Sequence, residues 1–473
     1  MTGILRSVDP ATGDEIASHP ALTPAELDAA VAAADQAQRA WRDVSFDERA
    51  LRLRAAARLL AERRDRYATL ITREMGKPIA EARAEIDKCA LTCDFYVEKA
   101  TEFLAPEPVE TAADDSFATY EPLGVVLAIM PWNFPFWQVT RFAAPALMAG
   151  NGGLLKHAPN VSGCALAFQE VLGDAGFPDG LFRTLLVDGA TVAETTAGLL
   201  ADPRVAAVTI TGSDRAGAQV AAAAGRALKK SVLELGGSDP FLVLADADLP
   251  AVAAQAARSR FLNSGQSCLA AKRFVVEEAV ADEFEGRLVD AVEALTVGNP
   301  LDPATQVGPL ARADLVDGID RQVRESVAKG ARVLTGGRRL GDRGCFYAPT
   351  VLAGVGPGMP AYDEETFGPV AAVIRVTDED HAIRVANDTC YGLGASVWTR
   401  DVERGLRVAR QVQSGAVFVN AVVASDPRLP FGGIKRSGYG RELAAAGIRE
   451  FTNQRTWWVS GSAAPAPGAA LTE

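Results

Sequence analysis

From Gly150 to Leu244 the chain alternates short apolar segments with helical ones, and this alternation limits the fold more than any other feature. Apolar strands are predicted at Gly153-Lys156, Phe182-Leu186, Val205-Ile210 and Ser231-Leu235. Helices are predicted between them at 162–174, 191–200 and 214–224. Strands this short and apolar, separated by helices, are buried on both faces, as in a parallel sheet covered by helices. A second alternating section runs from about Pro240 to Asn420. The first third reads as helical. Thr23-Pro24-Ala25-Glu26 carries a capping-box start with proline at the first helical position, and Ser45 and Glu48 repeat the device ahead of a helix reaching Met75. A third helix is predicted over about Ile79 to Ala105. Ser116 to Met130 is β-rich and is interrupted at Pro122-Leu123-Gly124.

Composition removes several classes of function. A net charge of −12 opposes binding to a phosphate backbone, which needs clustered positive charge. No apolar run reaches the length of a membrane span, and Met1 to Asp9 has neither a signal-peptide core nor a transit-peptide pattern, so a cytoplasmic protein is expected. The six cysteines, at 89, 93, 164, 268, 345 and 390, are too sparse for a disulfide scaffold and include no Cys-x-x-Cys. His19, His157 and His381 lie far apart, so neither a metal site nor a histidine-based triad is expected.

Cys268 differs from the other cysteines in its surroundings. Asn263-Ser-Gly-Gln-Ser-Cys268 follows a helix, and Gly265 permits a tight turn just before the thiol. Glu234-Leu-Gly-Gly237 ends a Val/Leu-rich strand and places a carboxylate at an opening, where it can serve as a general base. Met130-Pro-Trp-Asn133-Phe-Pro135 ends another apolar strand and offers the Asn133 amide as an oxyanion donor.

These segments, with Glu364-Glu-Thr-Phe-Gly-Pro369 and Pro430-Phe-Gly-Gly-Ile-Lys-Arg-Ser-Gly438, resemble the aldehyde dehydrogenase superfamily in order and spacing, up to about Val459. The resemblance implies that Cys268 attacks the aldehyde carbon and that the Asn133 amide and the Cys268 backbone N–H hold the oxyanion. Glu234 then activates the water that hydrolyses the thioester. Acyl-transferring members typically lack this glutamate, so a free acid product is expected.

No Gly-x-Gly-x-x-Gly follows the early strands. Ile210-Thr-Gly-Ser213 instead ends a strand and Asp214 opens a helix whose N-terminus suits a phosphate. The resemblance places Ser213 on the pyrophosphate, Lys156 on the adenosine ribose, Glu365 on the nicotinamide ribose and Phe367 near the nicotinamide. Trp132, Gly212 and Leu235 complete the expected cofactor pocket. Pro159 stands where NAD-preferring relatives often carry a glutamate that repels a 2′-phosphate. NADP is therefore expected to be accepted, and possible preference for it over NAD follows from the charge of Lys156.

Within the superfamily the chain resembles bacterial succinate-semialdehyde dehydrogenases through Trp132-Asn-Phe-Pro-Phe-Trp-Gln-Val-Thr-Arg141, Leu154-Leu-Lys-His-Ala-Pro-Asn160 and Ala424-Ser-Asp426. By that resemblance Arg141 grips the distal carboxylate, with Ser425 on the facing loop. Some such enzymes carry a second arginine six residues before the cysteine. Here that position is Leu262, with Arg428 as a candidate substitute, so glutarate semialdehyde or aliphatic aldehydes are alternative substrates. The implied fold is α/β, with a Rossmann-type cofactor domain (1–101 and 124–236) and an α/β catalytic domain (237–436). An oligomerisation arm with a C-terminal return (102–123 and 437–460) and a flexible tail (461–473) complete it. A homodimer or homotetramer is expected, with the strand near Thr456-Trp-Trp-Val459 pairing across subunits.

Overall fold

The chain leaves a helical layer and enters its central sheet at Val125–Met130, and from that strand the sheet grows in both directions. The computed structural model describes residues 3–461. Strands Gly152–His157 and Phe182–Thr184 are added on one side of Val125–Met130, and Val205–Thr211 and Lys230–Glu234 on the other, all parallel. Two neighbouring strands whose connections run opposite ways leave a crevice at their carboxyl ends, where ligands of open α/β sheets bind. Asn133, Gly212 and Glu234 all follow or end strands at this edge. Gly438–Tyr439 closes the sheet antiparallel to Lys230–Glu234. The start of the segment 437–460, expected to form the arm's partner strand and the C-terminal return, pairs with the cofactor sheet. Its backbone completes an edge that Glu234 would otherwise leave open.

A second sheet has seven strands, in the order Arg332–Thr335, Thr350–Ala353, Val370–Val376, Arg273–Glu277, Pro240–Val243, Gly394–Trp398 and Ala416–Val419. All pairs are parallel except the first. Its central strands are buried throughout, which explains their unbroken apolar sequences. Cys268 lies in the loop that leads into Arg273–Glu277.

The N-terminal part departs from the expected all-helical reading. Ile4–Val8 and Glu15–Pro20 form an antiparallel hairpin before the first helix. Only Leu5 and Ser7 of the first strand are buried, so the pattern is too short to be distinctive in sequence. The capping box at Thr23 and Glu26 is formed, and Ser45 accepts from the Glu48 N–H. The helix expected to run unbroken to Met75 is two helices, Phe46–Glu62 and Arg64–Met75, with Arg63 between them at φ −102° and ψ 16°. The next helix spans Ile79–Phe103.

Thr452–Val459 pairs antiparallel with Asp115–Pro122 of the same chain, which also pairs with Glu107–Pro108. Trp457 stacks on Phe117 with ring centroids 5.8 Å apart. Trp458 is exposed on this strand. The expected tail beyond Gly461 lies outside the described residues.

Candidate active site

Three segments distant in sequence converge on the thiol. The Cys268 loop begins with Asn263 and Ser264 at φ 54° and 55°, followed by Gly265 at φ +76°. A side chain at Gly265 would put its Cβ 2.3 Å from the Gly368 carbonyl oxygen, so only glycine fits this turn. Arg260 is fully buried and donates to the carbonyls of Gly265, Ala271, Thr366 and Gly368. It ties the cysteine loop to the loop that carries Glu365 and Phe367. Lys272 donates to the Cys268 carbonyl at 2.7 Å and lies 3.4 Å from the Glu365 carboxylate. Gly237 passes so close to Cys268 that a Cβ would sit 2.9 Å from its carbonyl oxygen. The strand-end glycines thus let the Glu234 strand approach the thiol loop.

Asn133 is buried and its amide is held on both sides. Gln138 donates to its Oδ1 at 3.0 Å, and its own Nδ2 donates to the Gln266 carbonyl at 3.0 Å. Asn263 adds a bond from its Nδ2 to the Asn133 carbonyl at 2.8 Å. This network fixes which end of the amide carries the N–H groups and leaves the second one available, as an oxyanion donor requires. Gln138 lies in the first turns of the buried helix Trp137–Met148, whose opening N–H groups, at Phe136 and Trp137, are accepted by the buried Glu85 carboxylate.

Cys268 is half-buried, and its burial pushes the thiol up to about 11 against the pull of the Lys272 and Arg141 charges. It rests as a thiol at neutral pH and needs a base or bound ligand to become a nucleophile. Glu234 is buried, and among the described residues neither of its carboxylate oxygens has a hydrogen-bond partner. Burial raises its pKa well above 4.5, and the neighbouring Glu442 carboxylate adds to this while Arg141 and Arg441 oppose it. Glu442 is raised for the same first reason.

Arg141 was expected to face a substrate carboxylate. Its guanidinium is buried, pairs with Glu442, donates to Thr211 Oγ1 at 3.2 Å and lies 4.7 Å from the centroid of the Phe431 ring. One cation therefore serves two buried carboxylates, Glu442 and Glu234. Ser425 is on the loop before Phe431, where Lys88 donates to both its carbonyl and its hydroxyl at 2.7 Å. Leu262 is exposed, and Arg428 is held by Asp426 through bonds of 2.8 and 2.6 Å. That carboxylate occupies the cation proposed as a substitute for Leu262.

Of the residues expected at the cofactor, Lys156 lies near the carboxyl end of Gly152–His157, and Gly212 and Ser213 follow Val205–Thr211. Ser213 caps the helix Asp214–Arg226, and Gly212 donates to the Glu234 carbonyl at 3.0 Å. Lys156 ends Gly152–His157 with no carboxylate in ion-pair contact among the described residues, and burial lowers its pKa. Pro159 opens the short turn Pro159–Val161 and is exposed. Leu235 packs against Gly217 of the capped helix. Glu365 accepts from the Gly237 N–H at 3.0 Å, and Phe367 meets Trp132 edge to face at 5.8 Å. A helix N-terminus beside an uncompensated lysine, with aromatic rings at the other end, fits a dinucleotide that carries an extra phosphate. Gln138, Gln266, Lys272, Glu442 and Lys88 escaped the sequence reading. Each is an ordinary polar residue; Gln138 bonds Asn133 five residues away, and the other four have partners on distant segments.

The Aldehyde dehydrogenase family model matches residues 2–457. A Synechocystis sp. protein named probable succinate-semialdehyde dehydrogenase, NADP(+), is 51% identical over 456 residues, covering 96% of this chain and 100% of its own. The succinate semialdehyde dehydrogenase, NAD(P)+, of Escherichia coli (strain K12) is 47% identical, covering 96% and 97%. The crystal structure of succinic semialdehyde dehydrogenase from Streptococcus pyogenes with NADP+ as the cofactor superposes with a TM-score of 0.93 at 36% identity, covering 97% of this chain and 100% of that one. With its thiol, amide and buried carboxylate gathered on the α/β frame those proteins share, the chain belongs to the aldehyde dehydrogenase family.

Proposed function

We propose that this enzyme oxidises succinate semialdehyde to succinate with NADP, and also accepts NAD. The observation that carries the reading is the pinned Asn133 amide and the buried, unpartnered Glu234 carboxylate beside the Cys268 loop. Cys268, once deprotonated, attacks the aldehyde carbon, and its electron pair forms the C–S bond while the carbonyl oxygen becomes an oxyanion. The free Asn133 N–H and the Cys268 backbone N–H hold that charge, an interaction of a kind that contributes about 3–4 kcal/mol to catalysis. A bound cofactor would supply the hydride acceptor, and loss of hydride from the adduct carbon, with its oxyanion pair reforming the C=O bond, would leave a thioester on Cys268. Glu234 takes a proton from water, whose oxygen attacks the thioester carbon and releases the acid and the thiol. Lys156, Ser213 and Gly212 would hold the phosphates and adenosine ribose, while Glu365, Phe367, Trp132 and Leu235 would border the nicotinamide half. Pro159 leaves the 2′-position free of a repelling carboxylate.

The names of the close relatives support the substrate and the cofactor. Arg141 contributes positive charge near the thiol, and Ser425 a hydroxyl further out. Glutarate semialdehyde and aliphatic aldehydes are the alternative substrates. The outer edge of Thr452–Val459, with Trp458 exposed, supports pairing between subunits into a homodimer or homotetramer. The free thiols suit a reducing cytoplasm. The test is a panel of aldehydes run with NADP and with NAD. Succinate semialdehyde with NADP should give the highest kcat/KM, and Cys268→Ala should abolish reduction. A strict preference for NAD, or for uncharged aldehydes, would overturn the cofactor or the substrate assignment respectively.

A further inference from the structure

One cation near the site has no carboxylate to neutralise it. Lys88, on the helix Ile79–Phe103, donates to the Ser425 carbonyl and hydroxyl, and its ammonium lies 4.1 Å from the centroid of the Trp137 ring. No carboxylate is in ion-pair contact with it among the described residues. Asp426, the adjacent acid, is taken up by Arg428, whose guanidinium holds both of its oxygens. An ammonium has three donors, and two are used here, both on neutral oxygens.

The placement relates this lysine to the aldehyde path. Trp137 is four residues, about one helical turn, beyond Asn133, and Arg141 is one turn further along the same helix. The Arg141 charge acts on both the Cys268 thiol and the Lys88 ammonium, so the three groups share one region. Arg141 is already committed to Glu442 and Thr211 and faces the Glu234 charge. Its positive charge is held by an ion pair inside the protein, whereas Lys88 feels the charges of Asp426 and Glu85 but is in ion-pair contact with no carboxylate among the described residues. Burying a cation without a partner is costly, and the cost is removed when an anion binds. Burial lowers the Lys88 pKa to about 8, in keeping with that desolvation.

We infer that Lys88, with the Ser425 hydroxyl and the Trp137 face, forms the subsite for the distal carboxylate of an ω-carboxy aldehyde. The inference rests on the reading of the enzyme as a semialdehyde dehydrogenase and names the group that selects the substrate. One ammonium is a point charge and imposes no bidentate geometry, so the subsite accepts carboxylates at more than one chain length. Succinate and glutarate semialdehydes should both be used.

The test compares kcat/KM for succinate semialdehyde with that for butanal in wild type, Lys88→Met, Lys88→Arg and Ser425→Ala, with succinate product inhibition measured alongside. The ratio of the two kcat/KM values should fall about 30-fold in Lys88→Met, as expected for losing a charge-assisted bond. The loss should appear in KM, with a matching rise in the succinate inhibition constant. Lys88→Arg should retain most of the ratio, and Ser425→Ala, on a half-buried loop, should lose about threefold of it. A ratio unchanged in Lys88→Met, or equal losses for both aldehydes, would overturn the inference. A wild-type enzyme that shows no preference for succinate semialdehyde over butanal would instead overturn the substrate assignment itself.

Discussion

Glu442→Gln isolates the electrostatic arrangement around Glu234, the proposed hydrolytic base. In the native enzyme two buried carboxylates, Glu234 and Glu442, share the guanidinium of Arg141, and Arg441 adds a smaller pull on Glu234. Both cannot ionise cheaply, because like charges sharing one cation repel by about 2–3 kcal/mol at an effective dielectric near 20. Glutamine keeps the shape of residue 442 and removes its charge, leaving Arg141 to Glu234 alone. Glu234 then ionises more readily. The base must be ionised to take a proton from water, so the acidic limb of the deacylation rate should move to lower pH. Rapid mixing resolves this as the pH dependence of the phase following the initial NADPH burst. Stability offers a second reading. Each raised carboxyl keeps its proton in the folded chain above 4.5, where the unfolded chain has lost it. Native stability therefore falls as pH rises from there toward the folded pKa, by about 1.4 kcal/mol per pH unit for each such proton. Removing one acid makes this fall shallower, so the variant should gain stability relative to wild type as pH rises above 4.5. An acidic limb that stays in place or moves upward, with a stability difference independent of pH, would refute the reasoning.

Three further outcomes follow from the same geometry. Alkylation of Cys268 by iodoacetamide in the cofactor-free enzyme should be slow at pH 7 and rise about tenfold per pH unit up to about pH 10, because the thiol is pushed up to about 11; a plateau below pH 8.5 would contradict this. Gln138→Ala frees the Asn133 amide to rotate, so kcat should fall about tenfold or more with KM little changed, measured at saturating cofactor. Gly265→Ala combines a left-handed backbone with a Cβ 2.3 Å from a carbonyl oxygen, and should lower stability by about 2 kcal/mol or more in denaturant unfolding and abolish turnover.

Much of this protein could be read from local sequence. Caps at Thr23 and Ser45, the alternation of apolar strands with helices after Gly150, and strand ends carrying Asn133, Gly212 and Glu234 are signals within a few residues of one another. They exist because backbone hydrogen bonding and periodic burial are decided locally. The N-terminal hairpin and the break at Arg63 were missed because two buried positions, or one altered residue, leave too faint a pattern. The partners of the charged residues were not legible at all. Arg141 meets Glu442, and Lys88 meets Ser425, 337 residues away in the chain. Sequence alone singled out the thiol, the amide and the carboxylate as candidates for the reacting groups. The tertiary structure alone decided that Arg141 pairs with Glu442 and that Lys88 meets neutral oxygens, because Coulomb energy depends on distance and burial, and neither is set by spacing along the chain.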